Sequence, residues 1–269
     1  MYFLYSATIL VLSVAIYMIF INDPLEAFKE IPNNIGLIQL KDLAVYVINL
    51  DRNKDRLDNF IEQYIVSDLK QVQFNRMRAI DGKKIRIEDY VSQTALREIL
   101  DAETSGYRTK HYQLSRGGVG CYLSHQGLYK KIAEQNKPYA LIFEDDVDID
   151  PMILEKTNTA MASIPEDWDI VLLSCFCIKC DKHSVYSDVE RFFLLHAYLI
   201  RKEAAIKLTN YMQHKLIEQQ VDWELSDLIQ KHDMKIYCLR DSMARQKGFT
   251  TNIQMPLKIV PGINPYATL

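Results

Sequence analysis

From Leu43 to Leu50 the chain reads LAVYVINL, an unbroken apolar run that suits a strand covered on both faces. The charged stretch that follows, DRNKDRLDNFIEQYI, is compatible with a helix. QVQFNRMRAI then places Val72 and Phe74 on one side, with Met77 extending the pattern, as a half-buried strand does before an Asp81-Gly82 turn. GVGCYLSHQGLYKKIAEQN predicts a glycine-rich loop entering a helix, and PYALIFEDD predicts the next strand. DIVLLSCF and FFLLHAYLI read as two further strands. RKEAAIKLTNYMQHKL reads as a helix with Ala204, Ala205, Leu208 and Tyr211 or Met212 on one face. Strands alternating with helices predict an α/β sandwich with a largely parallel central sheet. In such sheets ligands bind beyond the carboxyl ends of strands. Both Asn49-Leu50-Asp51-Arg52 and Glu144-Asp145-Asp146 fall at such ends, so a shared cleft is expected.

Ahead of this pattern, Tyr2 to Ile21 carries no charged side chain and is about long enough to cross a bilayer as a helix. An N-terminal transmembrane anchor over 1–21 is expected, with a cleaved signal peptide as the alternative. Pro24, Pro32, Asn33, Asn34 and Gly36 suit a short stem over 22–40, which leaves 41–269 as the folded domain. Lys29 is the only basic residue near either end of the apolar segment, so charge does not set its orientation.

Composition narrows the function classes. The 269 residues are 48% hydrophobic, enough for a full core. Lys and Arg number 32 against 35 Asp and Glu, a net charge of -3, so no basic field draws in nucleic acid. Cys175, Cys177 and Cys180 in SCFCIKC have a spacing that zinc tolerates, with His183 nearby as a fourth ligand. Free thiols or one local disulfide is the preferred reading. Cys121 and Cys238, in apolar surroundings, look like core thiols.

The acids at the end of LIFEDDVD admit two readings. They form a solvated turn, or they hold a divalent cation for phosphate chemistry. The set VYVINLDRNKDRL, RMRAIDGKK, LSRGGVGCYLSHQGLYKKI, YALIFEDDV and HAYLIRKEAAIKL, in this order and spacing, resembles glycosyltransferase family 25. That family includes bacterial lipooligosaccharide galactosyltransferases and collagen hydroxylysine galactosyltransferases. Each motif alone is weak, but five in register span the chain from about Leu43 to Ile253.

The resemblance implies a GT-A-like nucleotide-sugar-binding domain. It implies a metal-dependent, inverting hexosyl transfer from a UDP-sugar, galactose or glucose, to a glycan, glycolipid or protein acceptor. Mn²⁺ or Mg²⁺ would neutralise the leaving diphosphate, with Asp146 and Glu144 as ligands and Asp145 fixing the loop or reaching the donor. Backbone groups at Val47 to Asn49 would read the base, Asp51 would belong to the donor site, and Arg52 and Arg56 would face the diphosphate, with ion pairing to Asp51, Asp55 and Asp58 as the alternative for both arginines. Asp81 would touch the ribose or base, or simply make an Asp-Gly turn. Gly117 and Gly118 would let the backbone approach an anion, and Ser124 and His125 would border the nucleotide site. In VDWELSD, Asp222 is the first choice for the base that takes the acceptor proton and Glu224 the second, with Trp223 available to stack on a sugar. The alternative is that Trp223 and Leu225 pack inward beside solvated acids. By analogy the domain would face the secretory lumen.

Two departures from the family pattern stand out: Thr251-Asn252-Ile253 replaces a Ser-led triplet, and His196 precedes Ala-Tyr where small or polar residues are common. His196 is either a late metal ligand or a packing residue. Two other function classes are kept beside the transferase. One is a catalytically silent GT-A-like binding or scaffold protein, and the other is a phosphotransferase built on DDVDID, which lacks the separate lysine and acidic motif that such chemistry needs.

Overall fold

The structure is a computed structural model that describes residues 37–247 and 253–258. All of these except Leu37 belong to one unit, which spans Ile38–Leu269. In chain order the strands are β1 (Leu43–Asn49), β2 (Phe74–Arg78), β3 (Tyr139–Glu144), β4 (Val147–Ile149), β5 (Ile170–Leu172), β6 (Phe176–Lys182), β7 (Tyr186–Phe193), β8 (Ala197–Arg201), β9 (Ile236–Leu239) and β10 (Ala244–Gln246). The helices are α1 (Lys54–Tyr64), α2 (Gln93–Ser105), α3 (Arg116–Glu134), α4 (Ile153–Met161), α5 (Lys202–Met212) and α6 (Val221–Gln230).

Eight strands form one sheet in the order β2-β1-β3-β8-β5-β9-β7-β6, and β4 pairs separately with β10. The sheet is mixed, which corrects the expectation of a largely parallel one. The pairs β1–β2, β1–β3 and β5–β9 are parallel, whereas β8 runs antiparallel to both β3 and β5, and β7 to both β6 and β9. The error arises in FFLLHAYLI, which breaks at Leu194–His196 and contributes to two strands. An apolar run reports burial on both faces and carries no information about strand direction.

Alternation along β1 feeds two cores. Leu43, Val45 and Val47 pack with Phe60 and Tyr64 of α1 and Ile153 and Met161 of α4. Ala44, Tyr46 and Ile48 pack with Val119, Tyr122 and Tyr129 of α3, Ala205 and Leu208 of α5 and Leu225 of α6. Each such fully buried aliphatic or aromatic side chain contributes about 1.5–3 kcal/mol relative to exposure. The central strands are therefore rigid, and the loops at their carboxyl edge are held by a stable platform.

The expected transmembrane anchor at 1–21 lies outside the described residues, as does nearly all of the stem. Among the described residues no helix is long and apolar enough to cross a membrane. The described residues form a mixed α/β fold without a membrane-spanning helix, so the structure does not support the expected one.

Candidate functional site

Because β1, β2 and β3 are parallel neighbours, their carboxyl ends open on one edge. The antiparallel β8 brings its amino end to the same edge, where the Glu144 N–H donates to the His196 carbonyl at 2.8 Å. α3 and α6 add their first turns. These pieces enclose a cavity of about 550 Å³ lined by Arg52, Arg56, Asp81, Gly117, Gly118, Cys121, Ser124, Glu144, Asp145, Asp146, His196 and Asp222, among others.

The acidic turn at the end of β3 is divided by its contacts. Asp145 is buried and points back into the protein, where its Oδ2 accepts from Asn49 Nδ2 at 2.7 Å and its Oδ1 from Arg56 at 3.2 Å. Burial raises its carboxyl above the ordinary range, and the Asn49 and Arg56 bonds work the other way. Asp146 faces the cavity. Its Oδ2 meets Gln246 Nε2 at 3.3 Å and Arg56 at 3.5 Å, while Oδ1 is buried with no hydrogen-bond partner among the described residues. Burial and the neighbouring charges of Glu144 and Asp145 push its carboxyl up to about 7. An orphaned carboxylate oxygen beside two like charges has the donor chemistry of a divalent-cation site, so the residues fit such an ion.

Glu144 sits between the cavity and a buried polar chain. Its Oε1 lies 3.2 Å from His125 Nε2, and His125 Nδ1 is 2.8 Å from the Tyr198 hydroxyl. Burial opposes its charge, but the His125 bond and nearby His196 hold its carboxyl below the usual range. His125 itself is fully buried behind Glu144 and reaches the cavity only through it. His196 donates Nε2–H to the Ala244 carbonyl, 3.0 Å away, and its buried Nδ1 has no hydrogen-bond partner among the described residues.

The N-L-D-R stretch behaves differently from expectation. Val47 and Ile48 lie in register between β2 and β3, and the Asn49 carbonyl accepts from Ala79 N–H at 2.9 Å, so this backbone is used by the sheet. Asn49 is buried and orients Asp145. Asp51 is exposed and pairs with Arg76 and Arg78 outside the cavity. Arg52 pairs with Asp81 at the rim, while Arg56 turns inward to Asp145 and Asp146 instead of toward Asp55 or Asp58.

Gly117 and Gly118 lie in the first turn of α3, not in a loop before it, because Ser115 caps the helix by accepting from Gly118 N–H at 3.0 Å. The helix packs against the Ala79–Gly82 turn so closely that a Cβ at Gly82 would meet the Arg116 carbonyl at 1.7 Å and one at Gly120 would meet the Ile80 carbonyl at 2.4 Å. Ser124 secures that contact by accepting from Ile80 N–H at 2.8 Å.

Across the cavity, Asp222 opens α6. It accepts from Leu194 N–H at 3.3 Å and Trp223 N–H at 2.9 Å, and burial raises its carboxyl to about 6. Leu194 has φ of 75°, a left-handed conformation that costs a non-glycine residue roughly 1–2 kcal/mol and is kept where surrounding structure demands it. Glu224 is not brought to the cavity. It is fully buried against Lys215, Gln219 and the Tyr211 hydroxyl, 2.6 Å away. Trp223 is buried and stacked between Tyr112 and Phe193, with Arg191 over its ring, so Phe193 and His111 are the rings on the cavity wall.

Cys121, expected in the core, lines the cavity, while Cys238 is buried as expected. Cys177 and Cys180 form a disulfide and His183 pairs with Asp188, so the zinc arrangement for that segment is absent. Thr251 and Asn252 lie outside the described residues. Gln246, which precedes the Thr251-led triplet, and Lys247 were not among the expected site residues. The pairing of β10 with β4 carries them to Asp146, where Lys247 N–H donates to the Asp146 carbonyl at 2.6 Å.

Residues 42–223, which contain Glu144, Asp146 and Asp222, match the family described as glycosyltransferase family 25 (LPS biosynthesis protein). The chain belongs to glycosyltransferase family 25. Within that family it is similar to procollagen galactosyltransferase 1-A of Xenopus laevis, 26% identical over 200 residues that cover 69% of this chain and 31% of the relative. It is 25% identical to procollagen galactosyltransferase 1-B of the same organism over 248 residues, 87% of this chain and 37% of the relative. For human procollagen galactosyltransferase 2 the figures are 27% over 135 residues, 48% and 20%. The matches thus cover between 20% and 37% of the length of these family 25 relatives.

Proposed function

We propose that this chain is a divalent-cation-dependent, inverting glycosyltransferase that moves a hexose from a UDP-sugar to a hydroxyl of a glycan, glycolipid or protein. The observation that carries the reading is the orphaned Oδ1 of Asp146, buried beside Glu144 in the cavity at the carboxyl edge of β3. Family membership and the names of the procollagen relatives support the galactosyl variant.

Asp146 and Glu144 would hold Mn²⁺ or Mg²⁺, which when bound supplies positive charge against the leaving diphosphate. The protein's own part is positional. Asn49 and Arg56 hold Asp145 and with it the whole turn, and Ser124 fixes the Asp81 loop against the first turn of α3. Gly117 in the first turn of that helix is where the backbone would meet an anionic group, since the Gly118 N–H is already bonded to Ser115. On the opposite wall, Asp222 takes the proton of the acceptor hydroxyl as its oxygen attacks the anomeric carbon and the nucleotide diphosphate departs. A carboxyl near 6 is still mostly ionised at neutral pH and is a stronger base than an ordinary aspartate. Attack from the face opposite the leaving group in one displacement inverts the anomeric centre.

Asp148 and Asp150, the other acids of DDVDID, pair with Lys247 and Lys156 at 3.5 and 2.5 Å, which leaves no second acidic pair for a phosphotransferase. The Cys177–Cys180 disulfide supports an oxidising compartment for the domain.

The test is a donor screen with a panel of sugar nucleotides and Mn²⁺, read as donor hydrolysis and as binding. Turnover of one UDP-hexose is expected. Binding without turnover would assign the silent scaffold instead, and no binding of any donor sinks the reading.

A further inference from the structure

Cys121 and His125 stand four residues apart on α3, about one turn, and so project from the same face of the helix. They meet Glu144 where β3 leaves the sheet. Glu144 Oε1 is 3.2 Å from His125 Nε2 and 3.8 Å from Cys121 Sγ, and the three donor atoms all lie within 4.8 Å of one another. A tetrahedral Zn²⁺ with bonds of ~2.0–2.3 Å holds its ligands roughly 3.3–3.8 Å apart, so this spacing requires little adjustment.

A second observation points the same way. The Tyr198 hydroxyl donates to the Tyr129 hydroxyl at 3.2 Å, which leaves it to accept from His125 Nδ1–H at 2.8 Å. With Nδ1 held in this way, release of the Nε2 proton that faces Glu144 would leave a lone pair aimed at the carboxylate and ready for a metal ion. Zinc-bound histidines commonly donate their other N–H to an oxygen in this way.

We propose that Cys121, His125 and Glu144 form a binding site for a thiophilic transition-metal ion, Zn²⁺ in the first instance. The thiolate, Nε2 and one carboxylate oxygen are three ligands, and the thiol proton leaves to solvent on binding. Cys121 and Glu144 both face the cavity, which supplies the open fourth position for water. This site differs in kind from Asp146: sulfur and nitrogen select Zn²⁺ where carboxylate oxygens select Mg²⁺ or Mn²⁺. Occupation takes Glu144 from the donor cavity and makes Zn²⁺ an inhibitor of transfer, a consequence that alone rests on the transferase reading.

The test uses the full chain, stripped of metal and titrated with Co²⁺ as a spectroscopic substitute for Zn²⁺. Tetrahedral visible bands and a thiolate-to-cobalt charge-transfer band are expected, displaced by Zn²⁺ and unaffected by Mg²⁺. Cys121→Ser should lose the charge-transfer band and Cys175→Ser should keep it. On the unmutated chain, Zn²⁺ should protect Cys121 from alkylation as mapped by mass spectrometry, a measurement that needs no variant to fold. Absence of the band at excess Co²⁺, its persistence in Cys121→Ser, or unprotected Cys121 would each overturn the site. None of these readouts uses a sugar nucleotide, so a chain that failed the donor screen could still pass this test, and the reverse.

Discussion

Asn49 at the end of β1 donates Nδ2–H to Asp145 Oδ2 at 2.7 Å, tying the first strand to an acidic turn 96 positions later. The same amide accepts from Arg76 Nε through Oδ1 at 2.9 Å, so one buried side chain joins β1, β2 and the turn after β3. Two motifs that look independent in sequence are thus one mechanical unit.

Replacing Asn49 by Ala should therefore cost about 1–3 kcal/mol, because a buried carboxylate loses its shortest donor. Transfer should fall as well, since the turn that carries Asp146 loses an anchor. Asp51→Ala is the comparison, as its pairs with Arg76 and Arg78 are exposed to solvent and should contribute little. Thermal unfolding of both variants decides the matter, and equal small losses would count against the Asn49 role.

Asp146 should make metal-free stability fall as pH rises. Its carboxyl titrates at about 7 when folded and near ~3.9 when unfolded, so the folded chain binds the proton more tightly. That contribution is full below the lower value and is lost as pH climbs toward the upper one. Mn²⁺, which must displace the proton, should bind more tightly over the same window and level off above it. Unfolding curves and Mn²⁺ titrations at pH 5.5, 6.5 and 7.5 measure both effects. Asp146→Asn should flatten the stability trend and abolish most transfer with the fold intact; an Mn²⁺ affinity independent of pH would remove Asp146 as the ligand.

Asp222→Asn and Glu224→Gln should fail in different ways. The first should lower the transfer rate by roughly 10²–10⁴ with donor affinity and melting temperature nearly unchanged. The second should lower stability by on the order of 2 kcal/mol, allowing for the partial exposure of Lys215, because it unbalances a buried ion pair. Steady-state kinetics beside calorimetric melts separate the two. A stable, inactive Glu224→Gln would exchange their roles.

Gly82→Ala and Gly120→Ala should both damage the donor side of the cavity. Each added Cβ meets a carbonyl oxygen of the other segment inside van der Waals contact, so α3 and the Asp81 turn must separate. Gly106→Ala, where the space is open, should cost only the strain of its φ of 80°, about 1–2 kcal/mol. Nucleotide affinity should drop for the first two variants alone, and unaltered binding in them would show that this contact does not shape the site.

Much of the fold was legible because burial leaves a periodic trace. β1, β3 and α5 fall where their apolar patterns put them, and the acids after β3 stand out because charge rarely follows such a run. The face of α5 was readable down to Ala204, Ala205 and Leu208, all fully buried. Trp223 shows the limit: its spacing fitted both a sugar platform and a core position, and only its neighbours Tyr112 and Phe193 decided for the core.

By itself, the sequence determined that β1 and β3 are strands and α5 a helix, which turns gather acids and glycines, and that Asp146 and Asp222 are candidates, since hydrophobic period and side-chain type are local properties. Only the tertiary structure decided that β8 runs antiparallel, that His196 therefore arrives beside Glu144, that Glu224 faces Lys215 instead of the cavity, and that Cys121 reaches Glu144. Each of those depends on strand direction or on a long-range pairing. Neither leaves a periodic signal, because the same side chain satisfies the same burial whichever way its strand runs.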